Sequence, residues 1–148
     1  MKAIFLLVIL ALVPVCASPQ TRPAQRQTMA RWTGKYPDAK FFAQPQIKGP
    51  LRRILTKADY DSIGDYNLMI PIKKVGDYLV TYSTIKYSEP QENLALAYSL
   101  KDNAVYVVFS KAEQHRKFST QNNEFNLPDD VLEELGLKDQ GREQHHQT

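Results

Sequence analysis

The sequence predicts an α+β fold: an antiparallel meander of about four to five strands, with short helices before it and one helix after it. Three observations carry that prediction. Between Leu68 and Ser110 apolar residues recur every second position, as strands require. On either side, at Leu51, Ile54 and Leu55 and again at Val131, Leu132 and Leu135, they recur at three and four, as helices require. The breaks between runs carry turn chemistry, Gly76-Asp77 and Lys101-Asp102-Asn103.

The chain opens on Met1-Lys2-Ala3, a short basic start, and Ile4 to Val15 is almost wholly apolar. That run falls short of the roughly 20 residues that span a bilayer and suits the apolar region of a secretory signal peptide. Val15-Cys16-Ala17 supplies the cleavage site, so removal of residues 1–17 after Ala17 is expected. Lipidation at Cys16 would need a small residue before it, and Val15 stands there instead. The mature protein is therefore expected in the periplasm or outside the cell, with no stable membrane span. Cys16 is the sole cysteine. Its loss with the signal leaves no disulfide, no thiolate metal site and no cysteine nucleophile, so the domain must hold itself together by packing.

Residues 18–35 are polar and proline-containing, without apolar periodicity, and read as a flexible leader in which Trp32 alone docks. Residues 36–138 form the single α+β domain, and 139–148 a polar tail. Pro50 suits the first turn of a helix carrying Leu51, Ile54 and Leu55. Thr56 with Asp59 three residues on resembles a capping box, starting a second helix that turns Tyr60 and Ile63 inward and ends near Gly64. Leu68–Ile72 is expected as an edge strand, since Pro71 has no N–H to donate to a ladder.

Tyr78–Ser83 is a strand by its β-branched and aromatic content. Leu94, Leu96, Tyr98 and Leu100 alternate with Ala95, Ala97 and Ser99, giving one large and one small face. Val105, Val107 and Phe109 return antiparallel, so Asn93 to Ser110 is a hairpin. In the last helix Asn126 or Leu127 caps, Pro128 begins, and Asp129-Asp130 complement the dipole of the first turn. Gly136 supplies a left-handed ending with Leu137 as its apolar contact. The helices are expected on one face of the meander.

The formal charge of +3, which falls to +2 once Lys2 leaves with the signal peptide, is too small and too evenly spread to indicate nucleic acid or an anionic membrane. Catalytic templates are missing: there is no Gly-x-Ser-x-Gly elbow, no phosphate-cradling glycine loop and no His-Glu-x-x-His. His115 lies in a charged run expected as a solvated turn or strand edge. His145 and His146 are adjacent and cannot share a helix face, so no metal site is expected there. Asp129-Asp130 and Glu133-Glu134 fit helix-surface charges better than a carboxylate pair across a cleft. No cofactor, metal or catalytic residue is expected, and the class this leaves is a binding or inhibitory module. Five of the eight tyrosines, Tyr78, Tyr82, Tyr87, Tyr98 and Tyr106, fall in the sheet region, spanning core and rim.

Val80-Thr81-Tyr82-Ser83-Thr84-Ile85-Lys86-Tyr87-Ser88-Glu89-Pro90, followed by Asn93-Leu94-Ala95-Leu96-Ala97-Tyr98-Ser99 and the strand to Ser110, resembles the bacterial inhibitor of vertebrate lysozyme (Ivy) family. The plan around it is similar too, with a signal peptide, early helical turns, a Val-Gly-x-Tyr-Leu-Val strand entry at Val75–Val80 and a short late helix. The resemblance implies a non-enzymatic protein whose strand–loop–strand inserts into a lysozyme or other cell-wall hydrolase. It assigns partner contact to Ile85, Lys86, Tyr87, Ser88 and Glu89. Family members pin this loop with a disulfide and press its histidine against the two catalytic carboxylates. Here Thr84 and Glu89 stand where those cysteines would be, and Tyr87 stands in place of the histidine. A different target on the same fold, as in an envelope binding or immunity protein, is the alternative.

Overall fold

The computed structural model describes residues 21–121 and 124–138. The expected signal peptide with Cys16, and the tail with His145 and His146, lie outside the described residues. The chain runs α1 (Thr21–Ala30), α2 (Ala39–Phe42), α3 (Pro45–Ile54) and α4 (Lys57–Ser62), then a 3₁₀ turn (Ile63–Asp65). Strands β1 (Leu68–Met69), β2 (Lys73–Val75), β3 (Tyr78–Thr84), β4 (Glu92–Ser99), β5 (Val105–Lys111) and β6 (Gln114–Ser119) follow, and α5 (Asp129–Glu134) closes the chain. All pairings are antiparallel in the order β1-β3-β4-β5-β6, with β2 also on β3. The fold is α+β.

The expected edge strand splits in two around Pro71, and β1 and β2 share β3 as their partner. That leaves the proline outside the ladder, where its missing N–H breaks no pairing. The hairpin around Lys101-Asp102-Asn103 forms as read. Ser99 Oγ accepts from Asp102 N–H at 3.0 Å, and Asn103 takes the left-handed φ of +56° that the turn demands. β6 is a strand that the period-two pattern does not announce, because an edge strand keeps its charged residues, here Arg116 and Lys117, toward solvent.

One expectation is overturned by the layering: helices cover both faces of the sheet. Leu79, Leu96, Tyr98, Val107 and Phe109 face Met29, Trp32, Phe41, Ile47 and Leu51 from the N-terminal helices. On the other face Val80, Ala95, Ala97, Tyr106 and Val108 face Leu127, Val131, Leu135 and Leu137. The small face of β4 is thus a seat for α5, not a wet surface, and Ala97 is fully buried. Strands buried on both faces read as nearly continuous apolar runs, as Leu94–Tyr98 and Val105–Phe109 do.

The segment read as a flexible leader is also corrected. Thr21–Ala30 is helical, Met29 is fully buried and Trp32 packs edge-on against Phe41 at 5.4 Å. Two large apolar side chains anchor this polar segment, too few to register as periodicity. The helix expected from Pro50 begins instead at Pro45, which takes the first-turn position where a missing N–H costs nothing. Pro50 lies inside the helix and is buried there.

The Thr56 cap is as expected: its Oγ1 accepts from Asp59 N–H at 3.1 Å and donates to Asp59 Oδ2 at 2.8 Å. Asp59 also pairs with Arg116 at 2.8 Å, tying α4 to β6. That guanidinium holds the Asp59 carboxyl below its ordinary range. α5 starts one residue later than expected, with Pro128 at its cap. It ends as expected on Gly136 at φ +68°, with Leu137 N–H donating to Leu132 C=O at 2.8 Å.

Candidate functional site

Ile85, Lys86, Tyr87, Ser88 and Glu89 lie together in the β3–β4 connection, where the ladder stops at Thr84–Asn93. Ile85 N–H still reaches Glu92 C=O at 3.0 Å, and the chain then folds into a turn closed by Ser88 N–H on Ile85 C=O at 3.4 Å. Lys86 and Tyr87 are the central residues of that turn. Tyr87 sits at φ +64°, a left-handed conformation that costs a side-chain-bearing residue about 1–2 kcal/mol. Its ring is 89% exposed, the most exposed large apolar side chain among the described residues. The Lys86 ammonium lies 4.7 Å above that ring. The exposed tip thus presents an aromatic face and a cation together, and Glu89, two positions on, is exposed as well.

No disulfide closes this loop, and three side chains fix it instead. Ser88 Oγ donates to Ile85 C=O at 3.1 Å and accepts from Glu92 N–H at 2.9 Å. Gln91 Nε2 donates across the base to Thr84 Oγ1 at 3.2 Å, at one of the positions where the resemblance puts a cysteine. Asn67 Oδ1, from the segment before β1, accepts from Lys86 N–H at 3.3 Å. Each such bond contributes about 0.5–1.5 kcal/mol net, so together they rival the roughly 2 kcal/mol a disulfide over so short a loop would give. Ile85 packs against the core and roots the loop in the sheet. Ser88→Ala is expected to lower protection of the Glu92 amide in hydrogen exchange several-fold while leaving global stability within about 1 kcal/mol.

Beside the base of the loop lies an open basin of about 510 Å³ lined by Tyr36, Leu68, Met69 and Thr84. Tyr36 and Leu68 are exposed, and with Tyr87 they are the large apolar side chains left in solvent among the described residues. In the sequence Leu68 falls in a strand and Tyr36 at the start of the domain, and the residues around them mark neither as a contact residue. Leu68 lies on β1, the two-residue strand at one end of the sheet order. No family model matches the sequence, and neither a curated protein nor a solved structure does.

The other sheet tyrosines do not join Tyr87. Tyr98 and Tyr106 are buried, and Tyr78 and Tyr82 are half-buried against the α5 layer. Burial raises the hydroxyl pKa of all four, Tyr98 to about 12. His115 stands in β6 with Nδ1 at 2.8 Å from Ser110 Oγ. Among the described residues, no group of three or more His, Cys, Asp and Glu is placed to hold a metal ion. Nor is any helix among them long and apolar enough to cross a membrane.

Proposed function

We propose that this chain is an exported, non-enzymatic binding protein that presents the Ile85–Glu89 turn to the cleft of a cell-wall hydrolase and blocks it. The observation carrying this reading is Tyr87, exposed and left-handed at the tip of a loop that its own hydrogen bonds hold in shape. A loop already in its bound form loses little entropy on docking, and a rigid exposed aromatic is a common anchor of protein interfaces. Lys86 supplies positive charge toward an acidic cleft, a role the family gives to its histidine. The likeness to lysozyme inhibitors from Val80 to Ser110 points the same way.

The test is to titrate the purified chain lacking residues 1–17 into the activity assays of several lysozyme types. Inhibition at micromolar concentration is expected. Loss of a central aromatic anchor typically costs about 2 kcal/mol, so Tyr87→Ala should weaken it about thirtyfold. No inhibition of any type at micromolar excess overturns the reading. Glu89 favours a second one, in which the same turn serves an envelope binding or immunity role toward a less acidic partner. Under that reading Glu89→Gln weakens binding to the true partner, whereas it strengthens binding to a lysozyme cleft.

A further inference from the structure

The sheet register places Thr84, Asn93, Ser110 and His115 directly opposite one another in one row across β3, β4, β5 and β6. This row is on the α5 face, two positions along β4 from Ala95, and beyond it the face is apolar. α5 does not reach it: the helix ends at Glu134 and the chain turns at Gly136. A cleft of about 470 Å³ remains between Asn93, Ser110 and His115 of this row and the end of α5, a size typical of small-molecule sites. Tyr82 and Ile70 line it from the sheet, and Leu135 and Leu137 from the helix end.

The polar groups in this cleft are incompletely paired. Ser110 and His115 bond to each other at 2.8 Å, but Asn93 Oδ1 is buried and has no partner. A buried acceptor without a donor is rare in folded proteins and calls for an explanation. Charge narrows the choice of ligand. Glu133 and Glu134 stand at the rim, where they disfavour an anion, and each is paired with a lysine, Lys138 at 2.7 Å and Lys73 at 2.5 Å, so neither calls for a cationic ligand. The unmet demand is for a neutral donor beside groups that both donate and accept. A hydroxyl does both, so one ligand with several hydroxyls can pair with Asn93 and with the Ser110–His115 couple in either tautomer. The Tyr82 ring and the leucines offer the apolar surface that the carbon face of such a ligand needs.

We infer that this crevice is a binding site for an uncharged, hydroxyl-rich small molecule of sugar size, oriented by Asn93, Ser110 and His115. The site is separate from the loop tip and does not depend on the loop's role.

The experiment adds glucose, N-acetylglucosamine or glycerol to the isotope-labelled chain and follows backbone amide shifts, with benzoate and ethylammonium as charged controls. At least one of the neutral ligands is expected to shift the amides of Asn93, Ser110 and His115 with saturation in the millimolar range or below. Ser110→Ala and Asn93→Leu should each weaken that binding about tenfold or more, while Tyr87→Ala leaves it unchanged. Asn93→Leu should also keep or raise the Tm of the free protein, because it removes the unpaired acceptor. The inference is overturned if no neutral probe moves these amides at high millimolar concentration, or if the charged controls bind better. Unchanged binding in Ser110→Ala overturns it as well, whether or not Asn93→Leu folds.

Discussion

Replacing Phe41 with alanine is expected to destabilise the fold by about 3–5 kcal/mol, measured as a fall in the urea midpoint with little change in slope. Phe41 is fully buried and sits between Trp32 and Phe42, edge-on to each at 5.4 Å. Asp38 caps α2 by accepting from Lys40 and Phe41 N–H at 3.0 Å, which fixes the backbone under the ring. Collapse around the vacated space is therefore limited, and the cost should lie toward the upper end. Met29→Ala reports independently on α1. A loss of about 2–4 kcal/mol is expected if α1 is part of the core, and under 0.5 kcal/mol if residues 18–35 are a solvated leader.

Between about pH 10 and pH 12 the protein is expected to lose stability because of Tyr98. Its side chain is 1% exposed, and burial pushes its hydroxyl from 10.0 up to about 12. Above pH 10 the unfolded chain releases this proton while the folded chain keeps it, so stability falls as pH rises. At 1.36 kcal/mol per unit, the contribution lost across that window is about 2–3 kcal/mol. Tyr66, Tyr78, Tyr82 and Tyr106 are raised in the same direction and steepen the decline. Tyr98→Phe removes the largest share. Its hydroxyl bonds the side chain of Asn103, an exposed turn residue that water can satisfy, so the variant should cost under about 1 kcal/mol at neutral pH. Urea unfolding at a series of pH values, on both proteins, separates the two effects.

The parts of the fold legible in the sequence are those set by neighbouring residues. Alternation and the Lys101-Asp102-Asn103 turn determine the Asn93–Ser110 hairpin, Thr56 and Asp59 make their cap across three positions, and Gly136 ends α5 by its own φ. The parts that were not legible depend on distant partners. Met29 and Trp32 bury a helix that is otherwise polar, and β6 exists because β5 offers it an edge. Ala95 and Ala97 read as a minor face until α5 is seen to rest on them. The signal for that was present in the uninterrupted apolar character of β4 and β5.

The same division runs through the site. Strand periodicity left a gap between Ser83 and Asn93 legible, and only the resemblance over Val80–Ser110 narrowed it to Ile85–Glu89. The means of holding that loop were not legible, since Asn67 lies 19 positions from Lys86 and Gln91 bridges to Thr84 across the loop base. The polar row of the α5 face was hidden for a related reason. Thr84, Asn93, Ser110 and His115 become neighbours only through the register of four strands.

Hydrogen exchange of the protein alone and with excess lysozyme tests the central claim most directly. Slowed exchange is expected at the amides of Lys86, Tyr87, Ser88 and Glu89, with weaker effects around Leu68 and none along α5. Absence of a complex, or protection that falls on α5 and spares the loop, contradicts the account.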